Sequence, residues 1–322
     1  MIIYPLLILL ICSWMVHAHS FLDWMNASED FYMSMVDDCW NFRNVGFVMD
    51  STLKKLVFGQ HLIDGEILKD ISDHLTSKSP TFYPFVLSFH GGVGTGKSYV
   101  AKLIVEAIYP ELGMKSSNVH LFLPSLHFSN NKEFSSPTKL VEWIKEKMTH
   151  PRSVFIFDEF DHLPTSIIHA IKFGINYQRG SKDRVNARRA IFILISGIGT
   201  DKINQFVYDS ILNRTKREDI SRNDFDDMIT TGVFNINAGK TIANDNYPNI
   251  IDYYIPFLPL ERQHVRSCIQ EEFLKRGCQP PDQVVKLLNK LTYWPHSDYG
   301  MFSKFGCKTI GQNIDILDIN DD

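Results

Sequence analysis

Residues 91–98, Gly91-Gly92-Val93-Gly94-Thr95-Gly96-Lys97-Ser98, satisfy the spacing G-x-x-x-x-G-K-[ST] at every fixed position. Glycines at these places let backbone N–H groups close around phosphate oxygens. A lysine then adds a point charge at the β and γ phosphates, and a serine hydroxyl offers Mg²⁺ a hard oxygen ligand. The segment reads as a cradle for ATP with Mg²⁺, formed by Gly91 through Gly96 with Lys97 and Ser98. The alternative is a chance glycine-rich turn. The flanking elements argue against it, because an apolar run, Phe85 to His90, enters the loop as a strand and a helical pattern, Tyr99, Leu103, Ile104, Ile108, leaves it.

About 60 residues later, Ser153-Val154-Phe155-Ile156-Phe157-Asp158-Glu159 reads as a buried strand that delivers two carboxylates at its C-terminal end. Asp158 is the expected holder of the Mg²⁺ shell. Glu159 is the expected general base on the attacking water, so Lys97 and Glu159 are the catalytic candidates. Strand-end acids are common alone; paired with the loop at 91–98 they point to hydrolysis rather than binding only. A third strand, Ile191 to Ser196, runs into Gly197-Ile198-Gly199-Thr200, where a polar group would orient the water. Ser196 and Thr200 are the candidates, set against a plain strand-ending turn. Lys308, in Gly306-Cys307-Lys308-Thr309, is a candidate cation for the γ phosphate.

Between Arg222 and Arg262 the only Lys or Arg is Lys240. Ring-forming ATPases commonly carry, ahead of their fifth strand, the arginine that completes a neighbour's site, and such a residue is worth about 10³ to 10⁵ in rate in GTPases. Slow hydrolysis is expected unless another protein supplies that charge.

These groups need a scaffold. Apolar runs of strand length occur at Val119 to Leu123, Val154 to Phe157, Ala190 to Ile195 and Tyr253 to Leu258, with helical stretches such as Ser136 to Met148 and Thr165 to Ile175 between them. Strands alternating with helices predict an α/β fold, a parallel sheet covered on both faces. Beyond Pro259 the pattern turns helical, at Glu261 to Arg276 and Pro281 to Leu291. The expected division is a signal peptide at 1–18, a leader at 19–50, a nucleotide-binding α/β domain at 51–258 and a small helical lid at 259–322.

A 322-residue chain with 44% hydrophobic and 22% charged residues has the composition of a folded protein. Its net charge of −4 gives no electrostatic footprint for nucleic acid. The cluster Lys182, Arg184, Arg188, Arg189 reads as a solvated loop. Ile2 to Val16 is an apolar run of signal-peptide length, with cleavage expected after Ala18 and a retained monotopic anchor as the alternative. Peripheral membrane association stays open on that count. Secretion would put Cys39, Cys268, Cys278 and Cys307 in an oxidising compartment, with three full pairings open. Asn26 and Asn213 head glycosylation tripeptides.

With these segments in hand, the chain resembles the torsins, AAA+ ATPases of the endoplasmic reticulum lumen and nuclear envelope. The resemblance runs over about residues 51 to 310, through Phe58-Gly59-Gln60-His61-Leu62, Gly94-Thr95-Gly96-Lys97, Phe155-Ile156-Phe157-Asp158-Glu159, Asp252-Tyr253-Tyr254-Ile255-Pro256-Phe257-Leu258-Pro259-Leu260 and Gly306-Cys307-Lys308-Thr309. It implies a P-loop AAA+ sheet with a C-terminal helical domain, and ATP-driven, chaperone-like remodelling of a client protein. Lys308 becomes the sensor-2 cation, and Cys307 pairs with Cys268 as a redox link to the nucleotide site, with two separate buried thiols as the alternative. A membrane-anchored activator with a luminal domain would donate the missing arginine, and homo-oligomers are a further implied assembly. Ser98 stands where many torsins have Asn, and Gly197 where they carry a sensor-1 Asn, so the resemblance carries no water-orienting side chain over to position 197. A nucleotide-gated scaffold, controlled by ATP binding rather than hydrolysis, is the competing reading.

Overall fold

The computed structural model describes residues 45–76, 83–127, 136–148, 152–179, 189–225, 228, 250–279 and 300–318. Five parallel strands, β1 (Phe85–Gly91), β2 (Val119–Phe122), β3 (Val154–Phe157), β4 (Ile191–Ser196) and β5 (Tyr253–Phe257), lie in the order β2-β3-β4-β1-β5. Helices α1 (Val45–Leu56), α2 (Gly65–Thr76), α3 (Lys97–Ile108), α4 (Pro137–Lys147), α5 (Thr165–Arg179) and α6 (Thr200–Leu212) accompany the sheet, followed by α7 (Arg262–Lys275) and α8 (Ile310–Asp318).

The apolar runs form strands because both faces of the sheet are covered, so every position of a central strand is buried. In β4 the alternation is visible residue by residue. Ile191, Ile193 and Ile195 join the core that holds α1, α2 and α3, whereas Phe192 and Leu194 join the one that holds α4, α5 and α6. On the second face Phe155 stacks on Phe192 with ring centroids 4.7 Å apart, and Phe122 stacks on Phe157 at the same distance.

The helix ends follow local chemistry. Asp64 caps α2 by accepting N–H bonds from Glu66 at 3.1 Å and Ile67 at 3.2 Å, and Pro137 occupies the first turn of α4 after Ser136. The first helix begins at Val45, ahead of the leader boundary expected at residue 50. Val45, Met49 and Leu53 recur every four residues and are buried where α1 packs on α2 and α3, so these turns belong to the core. The leader's earlier part, the signal segment, Cys39, the helix expected at Pro281 to Leu291, and Lys182, Arg184 and Arg188 lie outside the described residues.

A separate small core, Leu260, Val265, Ile269, Ile310 and Ile314, joins α7 to α8, with Cys268 and Cys307 packed against it. Arg217 ties this unit to the sheet domain. Its guanidinium pairs with Glu261 at the start of α7 at 2.9 Å and donates to the Gly59 carbonyl at 2.7 Å.

Phe155→Ala removes a ring from between Phe192 and Trp143 and is expected to cost about 3–5 kcal/mol of unfolding free energy. Chemical denaturation of the full chain measures it, and a loss below about 1 kcal/mol, the size of a volume-conserving apolar swap, would contradict the stacked core.

Candidate functional site

Parallel register brings the carboxyl ends of β1, β3 and β4 to one edge of the sheet. A cavity of about 700 Å³ opens there, lined by the whole segment 91–98 together with Asp158, Glu159, Asp161, Gly197, Thr200 and Lys308. Leu56, Val57, Phe58, Leu260 and Ile310 add apolar lining, and Glu271, Glu272 and Lys275 add further charge. This is the crevice where open parallel sheets bind ligands.

Ser98 Oγ donates to Asp158 Oδ2 at 2.6 Å, joining residues 60 positions apart in the chain. Asp158 Oδ1 accepts the N–H of Glu159 at 2.9 Å. Glu159 itself sits at φ 52°, in left-handed backbone that a non-glycine residue adopts at a cost of about 1–3 kcal/mol. That turn feeds the short helical turn Phe160–His162 and carries Asp161 back toward β4.

Lys97 is largely withdrawn from water. Its Nζ donates to the carbonyls of Gly91 at 2.6 Å and Gly92 at 2.7 Å. Burial pushes its pKa down to about 8; the charges of Asp158 and Asp161 oppose that shift, and Lys308 adds to it. Behind the loop, burial first and then the Lys97 charge push His90 down to about 3, so the imidazole is neutral where it meets Ser88 Oγ at 2.7 Å.

Two contacts hold the loop from outside. Gly94, at φ +73°, lies backbone to backbone against Phe305 and Gly306, so a Cβ on Gly94 would run into the Phe305 carbonyl and one on Gly306 into the Gly94 carbonyl. Cys307 N–H donates to Gly94 O at 3.0 Å, and Cys307 is disulfide-bonded to Cys268 of α7. On the other side, the Gln60 amide is buried. Its Nε2 donates to Thr95 O and Leu258 O, and its Oε1 accepts from Leu258 N–H, each at 2.9 Å.

The structure thus brings Gly91 through Ser98, Asp158, Glu159 and Lys308 together, and pairs Cys268 with Cys307. Cys278 is a free, exposed thiol. Ser196 is buried, and its Oγ accepts the N–H of Ile198 at 3.0 Å; the Thr200 hydroxyl donates to the Gly197 carbonyl. Asn213 is exposed at the end of α6, away from the cavity, and Asn26 lies outside the described residues. Sequence reasoning gave no role to Gln60 or Asp161. Gln60 carried a faint signal, a polar residue in a matched segment. Asp161 carried one in its spacing, three residues past Asp158.

Residues 33–157 match the family model for torsin, and residues 260–316 match that for the torsin-1A C-terminal domain. The chain belongs to the torsin family. Among solved structures, this torsin is similar to the S. cerevisiae Hsp104–ADP complex (TM-score 0.55, 14% identity, covering 89% of this chain and 49% of that one). It is also similar to the S. cerevisiae Hsp104:casein complex in its extended conformation (TM-score 0.52, 14% identity, 86% and 47%). The likeness is one of fold, an α/β AAA+ fold with a C-terminal helical unit, and the torsin spans about half the length of these chains.

Two outcomes follow for the loop. Because Lys97 releases its proton near pH 8 in the free protein and phosphates would hold that proton, nucleotide affinity should be level below pH 8. Above it, affinity should fall by up to about tenfold per pH unit. Calorimetric titration with ATP from pH 6.5 to 9.5 reads this (assay range, about 3 units), and a level profile throughout would contradict the buried lysine. Gln60→Ala leaves the backbone polar groups of Thr95 and Leu258 unsatisfied, at about 1–3 kcal/mol each. It should lower both the unfolding midpoint and ATP affinity; a change in stability with unaltered affinity would separate Gln60 from the loop.

Proposed function

We propose that this torsin binds ATP with Mg²⁺ and hydrolyses it in the endoplasmic reticulum lumen and perinuclear space, as a chaperone-like remodeller that depends on a membrane-anchored activator. The observation that carries this reading is the Ser98 Oγ to Asp158 Oδ2 contact of 2.6 Å, with Lys97 and Glu159 on the same cavity. It makes one centre of two motifs far apart in the chain. Two hard oxygen donors side by side fit Mg²⁺. That ion takes one or two protein oxygens and completes its shell with phosphate and water, in keeping with the absence of any His/Cys/Asp/Glu metal cluster among the described residues. When bound, the ion would neutralise charge on the β and γ phosphates.

The chain's own residues supply the rest. The loop N–H groups and Lys97 hold the phosphates, with Lys97 Nζ exchanging the Gly91 and Gly92 carbonyls for phosphate oxygens. Glu159 accepts a proton from the attacking water. Leu56, Val57, Phe58 and Ile310 form the apolar wall suited to a base. Lys308 approaches from the lid as the second cation, and its neighbour Cys307 makes the Cys268–Cys307 bond a lever on the loop through Gly94. By chain entropy that bond is worth about 4 kcal/mol. A disulfide beside the site also supports an oxidising compartment, as does the apolar segment Ile2 to Val16, and Asn213 is exposed for glycosylation there. The separate core of α7 and α8 supports a lid at 259–322 against a nucleotide domain at 51–258. Among the described residues no arginine lines the cavity, which supports an activator that brings one.

That same missing arginine favours a second reading, a scaffold gated by ATP binding alone. Glu159→Gln separates the two. For a remodeller, the variant should bind Mg·ATP as the unaltered chain does, lose activator-stimulated turnover by about 10²-fold or more, and hold its client and activator in a pull-down from a luminal extract. Undiminished function of the variant in cells would favour the scaffold, and unchanged turnover with every luminal activator would count against hydrolysis.

A further inference from the structure

The attacking water needs an orienting partner besides its base, and the end of β4 is where such a group is expected. Each hydroxyl there spends one hydrogen-bonding site within its own turn. Ser196 is buried and accepts from Ile198 N–H, and Thr200 donates to Gly197 O. Gly197 has no side chain to offer. The corner it leaves is filled from β3 instead. Asp161 Oδ1 accepts the Gly197 N–H at 3.3 Å, and a Cβ built on Gly197 would lie 3.4 Å from Asp161 Oδ2. A side chain at 197 and the carboxylate of 161 would therefore face the same part of the cavity, in ordinary contact with each other.

We infer that Asp161 is the water-orienting residue of this torsin, taking from β3 the task that a side chain at position 197 would perform from β4. The inference rests on the hydrolytic reading above. Asp161 lines the cavity beside Glu159, with its side chain 17% exposed. Oδ1 is occupied by the Gly197 amide, which anchors the carboxylate and leaves Oδ2 turned to the neighbourhood of the His162 imidazole, 3.9 Å away. The same His162 ring lies 3.8 Å from Glu159 Oε2, so the two carboxylates share one exposed neighbour. In the reaction the water oxygen forms a bond to the γ phosphorus while the bond from that phosphorus to the β–γ bridging oxygen breaks, its electron pair leaving with ADP. One water proton passes to Glu159, and the other O–H is held by Asp161 Oδ2. The third carboxylate at this end is tolerated because Lys97, on which its charge acts directly, and Lys308 stand opposite.

The left-handed turn at Glu159 makes this possible. Without it the chain would leave β3 in the strand direction, and residue 161 would not return to β4. The arrangement therefore joins a glycine at 197 to a carboxylate folded over it.

The test uses the full chain in single-turnover ATP hydrolysis, with and without activator, beside the dissociation constants of ATP and ADP. Asp161→Ala should slow the chemical step by about 10- to 100-fold while leaving both dissociation constants within about twofold, a difference below about 0.5 kcal/mol. Adding Gly197→Asn to Asp161→Ala puts an amide into the vacated corner and should restore most of the lost rate. A carboxylate that merely braces the β4 turn would weaken nucleotide binding in Asp161→Ala, and the amide placed at 197 would not restore the rate of the chemical step; either result overturns the inference. So does an Asp161→Ala chain that hydrolyses at the unaltered rate. Should the unaltered chain bind ATP yet never release phosphate with any activator, the hydrolytic reading fails and takes the inference with it, a result distinct from the other three.

Discussion

The site depends on the parallel register of three strands. Phe157 of β3 lies beside Leu194 of β4, and Ser196 of β4 lies beside His90 of β1, so all three strands end at nearly the same level. The residues that follow, Asp158, Gly197 and the loop from Gly91, are delivered to one edge although more than 100 positions separate the first from the last. A one-residue slip in any of these strands would exchange the two buried faces of the sheet. The aromatic stack of Phe122, Phe157, Phe155 and Phe192 on one face and the isoleucines of β4 on the other make such a slip costly.

Around that edge the loop at 91–98 is clamped rather than free. Gln60 fastens it to the end of β5 through Thr95 and Leu258, while Phe305, Gly306 and Cys307 lie against Gly94. Arg217 closes the circuit, since it holds both Gly59, next to Gln60, and Glu261 at the head of α7. A path of contacts therefore runs from the loop to Glu261 and to the Cys268–Cys307 pair. The small core of α7 and α8 is separate from the two cores of the sheet, one of which takes in Phe302 from between those helices.

What could be read from the sequence was whatever local pattern determines. The loop at 91–98 carries its own chemistry, and the strands Val154–Phe157 and Ile191–Ser196 announce themselves as unbroken apolar runs because both of their faces are buried. The start of α1 was legible only in part. Val45 and Met49 share the helical spacing of Leu53, yet they follow an aromatic, acidic stretch that masks it. Gln60 and Asp161 carry only faint local signals because their roles are tertiary. The place of Gln60 in a matched segment gains its meaning from Thr95 and Leu258 on either side of it, and the spacing of Asp161 gains its own when the turn at Glu159 folds it onto Gly197. Ser196 and Thr200, suited by position to orient water, both line the cavity, and each makes one bond within its own turn.

The central claim, that segment 91–98 with Ser98 and Asp158 forms the phosphate and Mg²⁺ site of this torsin, is tested most directly by an experimental structure of the full chain with Mg²⁺ and a slowly hydrolysed ATP analogue. The account predicts the triphosphate within the loop, Lys97 Nζ moved off the Gly91 and Gly92 carbonyls to a phosphate oxygen at about 2.7–2.9 Å, and the ion bound near Ser98 and Asp158. A nucleotide seated elsewhere, or Lys97 still bonded to its own loop with the analogue present, would contradict it.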